Sequence, residues 1–133
     1  MKTKIYSGSC LCGSVRFKIK SPLGDVWFCH CEQCRKNYGM YGAFIGVSRK
    51  FFSLKGAKSV RWYRSSTKTK RGFCVKCGSP IAWDRKTSGN IYVLAGLING
   101  KLKLKRGRHI FVGSKGGYYR ICDSLPRFKT VPK

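Results

Sequence analysis

Acidic residues are scarce in this sequence of 133 residues. Four aspartates and glutamates (Asp25, Glu32, Asp84 and Asp123) stand against 29 lysines and arginines, which gives a formal net charge of +25 at pH 7. Self-repulsion of this size destabilises a compact state. Metal cross-links between segments would offset part of that cost.

Long apolar runs are also missing. No stretch approaches the roughly 20 apolar residues that a membrane-spanning helix needs. The first ten residues, MKTKIYSGSC, lack the apolar segment of a secretory signal. We therefore expect no membrane association and a cytoplasmic location, in a reducing compartment where cysteines serve as metal ligands rather than disulfides.

The sequence also has no long segment with a 3.6-residue apolar period, which excludes a helical bundle. It has no internal repeat and no linker, which predicts a single domain over residues 1–133. Residues 14–20 alternate strictly, with Val15, Phe17 and Ile19 on one face, as in a half-buried antiparallel strand. Further short strands are predicted at residues 26–29, 43–47, 59–64, 81–84, 91–94 and 110–112. The prediction is an all-β protein with one short helical turn after Cys31.

Eight cysteines are the most informative residues. Cys74 and Cys77 form a C-x2-C turn that can place two sulfurs on one side, as tetrahedral zinc with Zn–S distances of about 2.3 Å requires. Cys10 and Cys12 are their natural partners, although on an ideal strand they would lie too far apart to chelate. Gly13 can relax the backbone there. Four cysteines predict a closed, structural zinc site.

A second cluster places Cys29, Cys31 and Cys34 within six residues. No fourth ligand is obvious, and three protein ligands with an open position are typical of catalytic zinc. His30 lies inside the cluster, but in an extended segment its side chain points away from those of Cys29 and Cys31. We therefore expect His30 to support the ligands or to be exposed.

His109 is expected to be an ordinary buried or surface histidine, and Cys122 a free buried thiol, since cysteine behaves as a small apolar residue in cores. For the seven other cysteines, spacing alone leaves one alternative open, in which both clusters hold structural zinc ions and the protein has no catalytic activity.

The segments that carry the cysteines resemble the glutathione-dependent formaldehyde-activating enzyme family, which also includes centromere protein V. The resemblance rests on GSCLCGSVRF at residues 8–17, CHCEQCRK at 29–36 and RGFCVKCGSP at 71–80. Residues 108–115 and 123–128 are similar to the family's closing motif. The resemblance covers nearly the whole chain, in the family's order and spacing.

This resemblance implies a β-tent-like fold of stacked antiparallel sheets, stapled by zinc, with two zinc ions per chain. It assigns the structural zinc to Cys10, Cys12, Cys74 and Cys77, and the catalytic zinc to Cys29, Cys31 and Cys34. The implied activity is that of a carbon–sulfur lyase acting on glutathione adducts, which forms or breaks S-(hydroxymethyl)glutathione or a related small thiol adduct. The chain departs from the family at residues 116–119, GGYY.

Zinc held by three thiolates carries a net negative charge, which a substrate thiolate would increase. Arg35 and Lys36 directly follow Cys34 and are candidates to compensate that charge and to bind anionic glutathione. Simple surface charge is the alternative for both residues.

A function without catalysis also fits the composition. A strongly basic, zinc-stapled module could bind nucleic acid weakly or bind another acidic partner, with aromatic residues such as Tyr63 and Tyr118 stacking on bases among the lysines and arginines. Against this, outward-facing basic residues also form ordinary solvated faces, and Trp62 and Trp83 are expected to pack in the β core.

Overall fold

A computed structural model describes residues 4–132 of the chain. Within them are ten β-strands and one α-helix, α1, at Glu32–Tyr38. The strands are β1 Tyr6–Ser9, β2 Arg16–Ile19, β3 Val26–Cys29, β4 Gly42–Ser48, β5 Phe52–Lys55, β6 Val60–Arg64, β7 Thr69–Cys74, β8 Pro80–Arg85, β9 Asn90–Leu94 and β10 Arg106–Ile110. This confirms the all-β prediction and the helical turn after Cys31. No helix in the described part of the chain is both long and apolar enough to cross a membrane.

The strands form two sheets. The smaller has the order β1-β2-β5, and the larger has the order β10-β3-β4-β9-β8-β7-β6. Neighbouring strands are antiparallel throughout, except that β10 runs parallel to β3. The exception is possible because a long stretch of chain separates these two strands, so no hairpin dictates their relative direction.

The core lies between the two sheets. From β2 and the residue before it, Val15, Phe17 and Ile19 are buried, while Arg16 and Lys18 are exposed. The three buried side chains pack in one cluster with buried side chains of the larger sheet, which include Ile45, Val47, Ile81, Ala82, Ile91 and Val93. The alternation predicted for residues 14–20 is confirmed.

The C-terminal strand differs from the prediction. The strand expected at residues 110–112 is wrong, because β10 spans Arg106–Ile110 and ends there. Phe111 adopts a left-handed backbone conformation with φ of 57°, and Val112–Ser114 forms a 3-10 turn. A left-handed residue cannot continue an extended ladder. Strands β1, β5 and β7 were not predicted, because they are short or carry basic and glycine residues.

The larger sheet has two different faces, and β7 shows both. Gly72 and Cys74 are buried on the core side, whereas Arg71 pairs in register with Trp83 of β8 and points to the opposite side. On that outer side Trp83 contacts Phe44, which in turn contacts Tyr38 of α1. Helix α1 therefore packs on the outer face of the larger sheet.

Candidate functional site

Four cysteines from two distant segments meet beside the core. The sulfurs of Cys10, Cys12, Cys74 and Cys77 all lie within 4.8 Å of one another. Cys10 Sγ is 3.7 Å from Cys12 Sγ, and Cys12 Sγ is 3.8 Å from Cys74 Sγ. Tetrahedral zinc with Zn–S bonds of about 2.3 Å sets neighbouring sulfurs about 3.8 Å apart. The donor set and its spacing therefore fit zinc.

Two backbone turns present these sulfurs. Cys10 and Cys12 lie in the turn after β1 rather than on a strand, so the chelation problem of an ideal strand does not arise. Gly13, with φ of 80°, and Gly78, with φ of 79°, each follow a cysteine turn in the left-handed conformation that glycine adopts without strain. The Leu11 N–H donates to Ser79 Oγ at 3.0 Å and joins the two turns.

Hydroxyl groups support the thiolate form of two of these cysteines. The hydrogen bond from Ser14, whose Oγ is 3.2 Å from Cys12 Sγ, lowers the pKa of Cys12. The Ser79 hydroxyl, 3.3 Å from Cys77 Sγ, is the main cause that lowers the pKa of Cys77 to about 5. Thiolates are the form that binds zinc, so these contacts favour metal binding.

The second cluster forms where β3 passes into α1. Cys29 is the last residue of β3, Cys31 caps the N-terminus of α1, and Cys34 lies in the first turn. The Cys34 N–H donates to Cys31 Sγ at 3.4 Å, which fixes the bend. Because of this bend, the three sulfurs lie within 4.8 Å of one another. Within residues 4–132, no further cysteine, histidine or carboxylate joins this group.

Without a metal, the three thiols of this cluster share their protons unequally. Hydrogen bonds from Cys29 and then Cys34 lower the pKa of Cys31 to about 2. Hydrogen bonding to Cys31 and Cys34, together with burial, raises the pKa of Cys29. Cys34 is 1% exposed. Closely spaced thiolates are soft ligands of the kind that zinc prefers, so this cluster also fits the metal.

The half-buried guanidinium of Arg71 faces the three-cysteine cluster. Nη1 and Nη2 of Arg71 each lie 3.8 Å from Cys34 Sγ. The same side chain donates to Gln33 Oε1 at 3.1 and 3.2 Å and to Tyr38 Oη at 3.0 Å. Burial raises the pKa of Tyr38 to about 12, so the phenol stays protonated and its oxygen accepts from Arg71. Arg71 is not among the site residues predicted from the sequence, because its only local signal is its place three residues before Cys74.

A chain of hydrogen-bonded polar groups connects four side chains, one of which is His30, between Cys29 and Cys31 in the sequence. His109 Nε2 lies 3.0 and 3.1 Å from the Asp123 carboxylate oxygens, and its Nδ1 lies 2.8 Å from His30 Nε2. His30 Nδ1 lies 2.6 Å from Tyr119 Oη. A carboxylate only accepts, so with neutral rings His109 Nε2–H donates to Asp123, His30 Nε2–H donates to His109, and Tyr119 O–H donates to His30.

Burial of His30 is the physical reason for this arrangement. Its side chain is 0% exposed, so the exposed position allowed by the sequence analysis is wrong. Burial, and next the neighbouring His109, lower the pKa of His30 to about 4, which keeps the ring neutral near pH 7. His109 is itself buried. The chain thus ties the cluster to the C-terminal segment that carries Tyr119 and Asp123.

The other residues singled out from the sequence form no hydrogen bond to the three sulfurs among the described residues. Lys36 pairs with Glu32 on the exposed side of α1, with Nζ 3.3 Å from Oε1. Arg35 lies beside Gly116. Cys122 is exposed, so the prediction of a buried thiol is wrong; it lies in a segment without strand structure that does not enter the core. Trp83 stacks on Tyr92 with ring centroids 3.9 Å apart, on the outer face of the sheet.

Comparison with known proteins identifies a family and several similar proteins. Residues 5–114 match the family model described as glutathione-dependent formaldehyde-activating enzyme. A Halomonas elongata protein, which carries that enzyme name provisionally, is 28% identical over 127 residues and is aligned with 88% of this chain and 81% of its own length. A crystal structure of a Rhodobacter sphaeroides protein superposes with a TM-score of 0.61 at 24% identity, over 72% of this chain and 90% of that one. The structural match shows a shared fold.

Proposed function

The chain belongs to the glutathione-dependent formaldehyde-activating enzyme family, and from that premise we propose that it is a zinc-dependent carbon–sulfur lyase acting on glutathione adducts. The observation that carries the proposal is the cluster of Cys29, Cys31 and Cys34, which no fourth ligand of the described residues completes and which faces the guanidinium of Arg71. The cluster at Cys10, Cys12, Cys74 and Cys77 is the structural zinc site, so the scheme holds two zinc ions per chain.

The two clusters differ in the number of ligands and therefore in their proposed roles. Four thiolates complete a tetrahedron and leave zinc no position for a substrate, which is typical of a structural site. At the three-cysteine cluster, a bound zinc ion would supply a Lewis-acid position that stabilises a thiolate at neutral pH.

The proposed reaction is a reversible addition. The thiolate sulfur of glutathione forms a bond to the carbonyl carbon of formaldehyde, the π electrons of the C=O bond move to oxygen, and that oxygen takes a proton from water. The reverse step breaks the C–S bond and returns the proton. A related small thiol adduct would follow the same balance.

The protein's contribution to this step is largely electrostatic. Arg71 supplies positive charge beside Cys34, and its hydrogen bonds to Gln33 and Tyr38 hold the guanidinium in place. A fixed positive charge favours the accumulation of anionic sulfur in the site. Arg71 therefore takes the compensating role that the sequence analysis gave to Arg35 and Lys36, and Lys36 is engaged with Glu32 instead.

The C-terminal segment at residues 112–127 is the proposed binding site for the carboxylates of glutathione. Lys115 Nζ donates to the carbonyl oxygens of Gly116 and Tyr119 and lies 4.4 Å from the centre of the Tyr119 ring, which holds the segment against His30. Beside it, Val112, Lys115, Arg120, Ile121 and Arg127 line a cavity of about 400 Å³. No ion pair within residues 4–132 uses Arg120, and Arg35 lies next to the same segment. Both are available for an anionic substrate.

The direct test is an exchange measurement by NMR on the glutathione–formaldehyde equilibrium, with the native protein, Cys31→Ser and the control Cys122→Ser. We expect the native protein and the control to accelerate exchange, and Cys31→Ser to leave it at the uncatalysed rate. Equal exchange rates with and without native protein would refute the named activity, whatever the metal content.

Two broader assignments accompany this proposal. We propose that residues 1–133 act as one domain, because a single buried cluster includes residues from both sheets. We also propose a cytoplasmic location, since a reducing compartment keeps the seven clustered thiols free for metal.

A further inference from the structure

A second cavity is lined by residues of a different kind from those of the cysteine clusters. It has a volume of about 470 Å³, and it is lined by Arg49, Arg64, Thr67, Lys68, Thr69, Lys70, Asp84 and Lys86. Five of the eight lining residues are cationic, one is acidic and two carry hydroxyl groups. We call this cavity the basic cleft. No apolar side chain lines it, so it is suited to an anionic ligand rather than to an apolar one.

The basic cleft and the three-cysteine cluster belong to opposite faces of the larger sheet. Arg64, Lys70 and Asp84 are cross-strand neighbours on β6, β7 and β8. Arg71 is the next residue after Lys70 on β7, so its side chain points to the other face, where it meets Cys34. The cleft is therefore spatially separate from the proposed site of sulfur chemistry, and a proposal for the cleft does not depend on that chemistry.

Most of the positive charge in the cleft is uncompensated. The Asp84 carboxylate forms an ion pair with Arg49 and lies 4.0 Å from Lys70 Nζ. Arg49 also donates to the Ser88 carbonyl oxygen at 2.9 Å. None of the ion pairs found within residues 4–132 includes Arg64, Lys68 or Lys86. These three cations converge on one concave site without an acidic partner.

Lys70 and the hairpin tip give the cleft further features for recognition. Lys70 Nζ lies 4.8 Å from the centre of the Trp62 ring, which orders its stem. The hydroxyl-bearing residues Thr67, in the β6–β7 turn, and Thr69, the first residue of β7, flank Lys68. Cations on several sides, with hydroxyl donors between them, are the arrangement that recognises phosphate oxygens.

We propose that the basic cleft binds a ligand that presents several adjacent phosphate groups. A single phosphate would engage only part of a set of three free cations, whereas consecutive phosphates reach all of them. Such groups occur in the backbone of a single nucleic-acid strand and in free oligophosphates, and the chemistry of recognition is shared. The net charge of +25 raises the local concentration of either ligand.

The test compares two variants that each lose three positive charges. The cleft variant combines Arg64→Gln, Lys68→Gln and Lys86→Gln. The matched control combines Lys18→Gln, Lys20→Gln and Lys55→Gln, three exposed residues on or next to the smaller sheet. All six side chains are exposed, and circular dichroism checks that both variants keep the native secondary structure.

Binding is measured by fluorescence anisotropy with a labelled oligothymidylate of about 12 nucleotides, a length within the footprint of compact single-strand binders. We expect the cleft variant to bind at least about tenfold more weakly than the control variant at the same salt concentration. The salt slope of the native protein should fall by about two in the cleft variant, because each phosphate contact contributes about 0.7 on single strands.

A competition experiment on the native protein tests the shared chemistry. Inorganic tripolyphosphate is added to the complex with the oligonucleotide, and we expect it to displace the strand, while sulfate at equal ionic strength does not. Equal weakening in both variants would show that net charge alone governs binding and would overturn the proposal. Failure of tripolyphosphate to displace the strand, or absence of binding by the native protein near 0.1 M salt, would overturn it as well.

Discussion

Replacing Arg71 by glutamine is the sharpest perturbation of the proposed catalytic site. The change keeps a planar polar group of smaller size but removes the positive charge 3.8 Å from Cys34 Sγ. It also removes the donors to Gln33 and Tyr38. We expect weaker zinc binding at the three-cysteine cluster, because the thiolates lose the half-buried cation beside Cys34.

The magnitude follows from the distance. Two unit charges about 4 Å apart interact by about 4 kcal/mol at the effective dielectric constant of about 20 that suits partly buried protein sites. Water that enters in place of the guanidinium recovers part of this. Loss of groups that support metal ligands costs about 10–100-fold in metal affinity, and we expect Arg71→Gln to fall in that range.

The assay is competition between the protein and a chromophoric zinc chelator. Cys10→Ser and Cys29→Ser, each of which removes a ligand from one cluster, assign the two zinc-release steps to their clusters. The Arg71→Gln protein should release zinc from the three-cysteine cluster earlier, with release from the four-cysteine cluster unchanged. Arg71→Lys should lie between, since it keeps the charge but loses the planar fork.

The matched control is Arg61→Gln, because Arg61 lies on the neighbouring strand β6 and is exposed. It should release zinc as the native protein does. If Arg61→Gln and Arg71→Gln weakened zinc binding equally, or if Arg71→Gln had no effect, the assignment of Arg71 as the compensating charge would be refuted.

Three further substitutions test the fold. Phe17→Ala should lower the free energy of unfolding by about 3–5 kcal/mol in urea titrations, because Phe17 is fully buried between the two sheets, and a loss below 1 kcal/mol would contradict that packing. His109→Ala should lower the free energy of unfolding by about 3 kcal/mol in the same assay, because it leaves His30 and Asp123 unpaired and removes the ring stacked on Phe28. An unchanged free energy of unfolding would exclude the hydrogen-bonded chain. Cys122→Ser should change stability by less than about 0.5 kcal/mol and leave the zinc content of the protein unchanged, since this thiol is exposed, and a lost zinc ion would make Cys122 a ligand.

Local patterns in the sequence predicted the parts of the fold that local physics controls. Strict alternation around Phe17 identified a strand with one buried face, and residues 26–29 form β3 as predicted. The short spacing of Cys29, Cys31 and Cys34 predicted three neighbouring sulfurs, because few residues separate them. The four-cysteine group was predicted from ligand chemistry, which needs partners for Cys74 and Cys77.

Features that depend on long-range packing were out of reach. Arg71 and Cys34 meet only because α1 packs on the outer face of the larger sheet, which no local pattern of β7 reveals. The burial of His30 depends on the parallel strand β10, which brings His109 beside it, and on the C-terminal segment that carries Tyr119. A hydrogen-bonded chain of this kind has no signature in residue spacing, since its members come from three separate parts of the chain.

The central claim, an open ligand position at Cys29, Cys31 and Cys34, is tested most directly by the visible and near-ultraviolet spectrum of cobalt-substituted protein during a titration with glutathione. We predict that thiolate-to-cobalt absorption grows and saturates at about one equivalent, as a fourth sulfur completes a tetrahedral site. S-methylglutathione, which has no free thiol, should produce no such growth. A spectrum that glutathione leaves unchanged, or that both compounds change alike, would contradict the account.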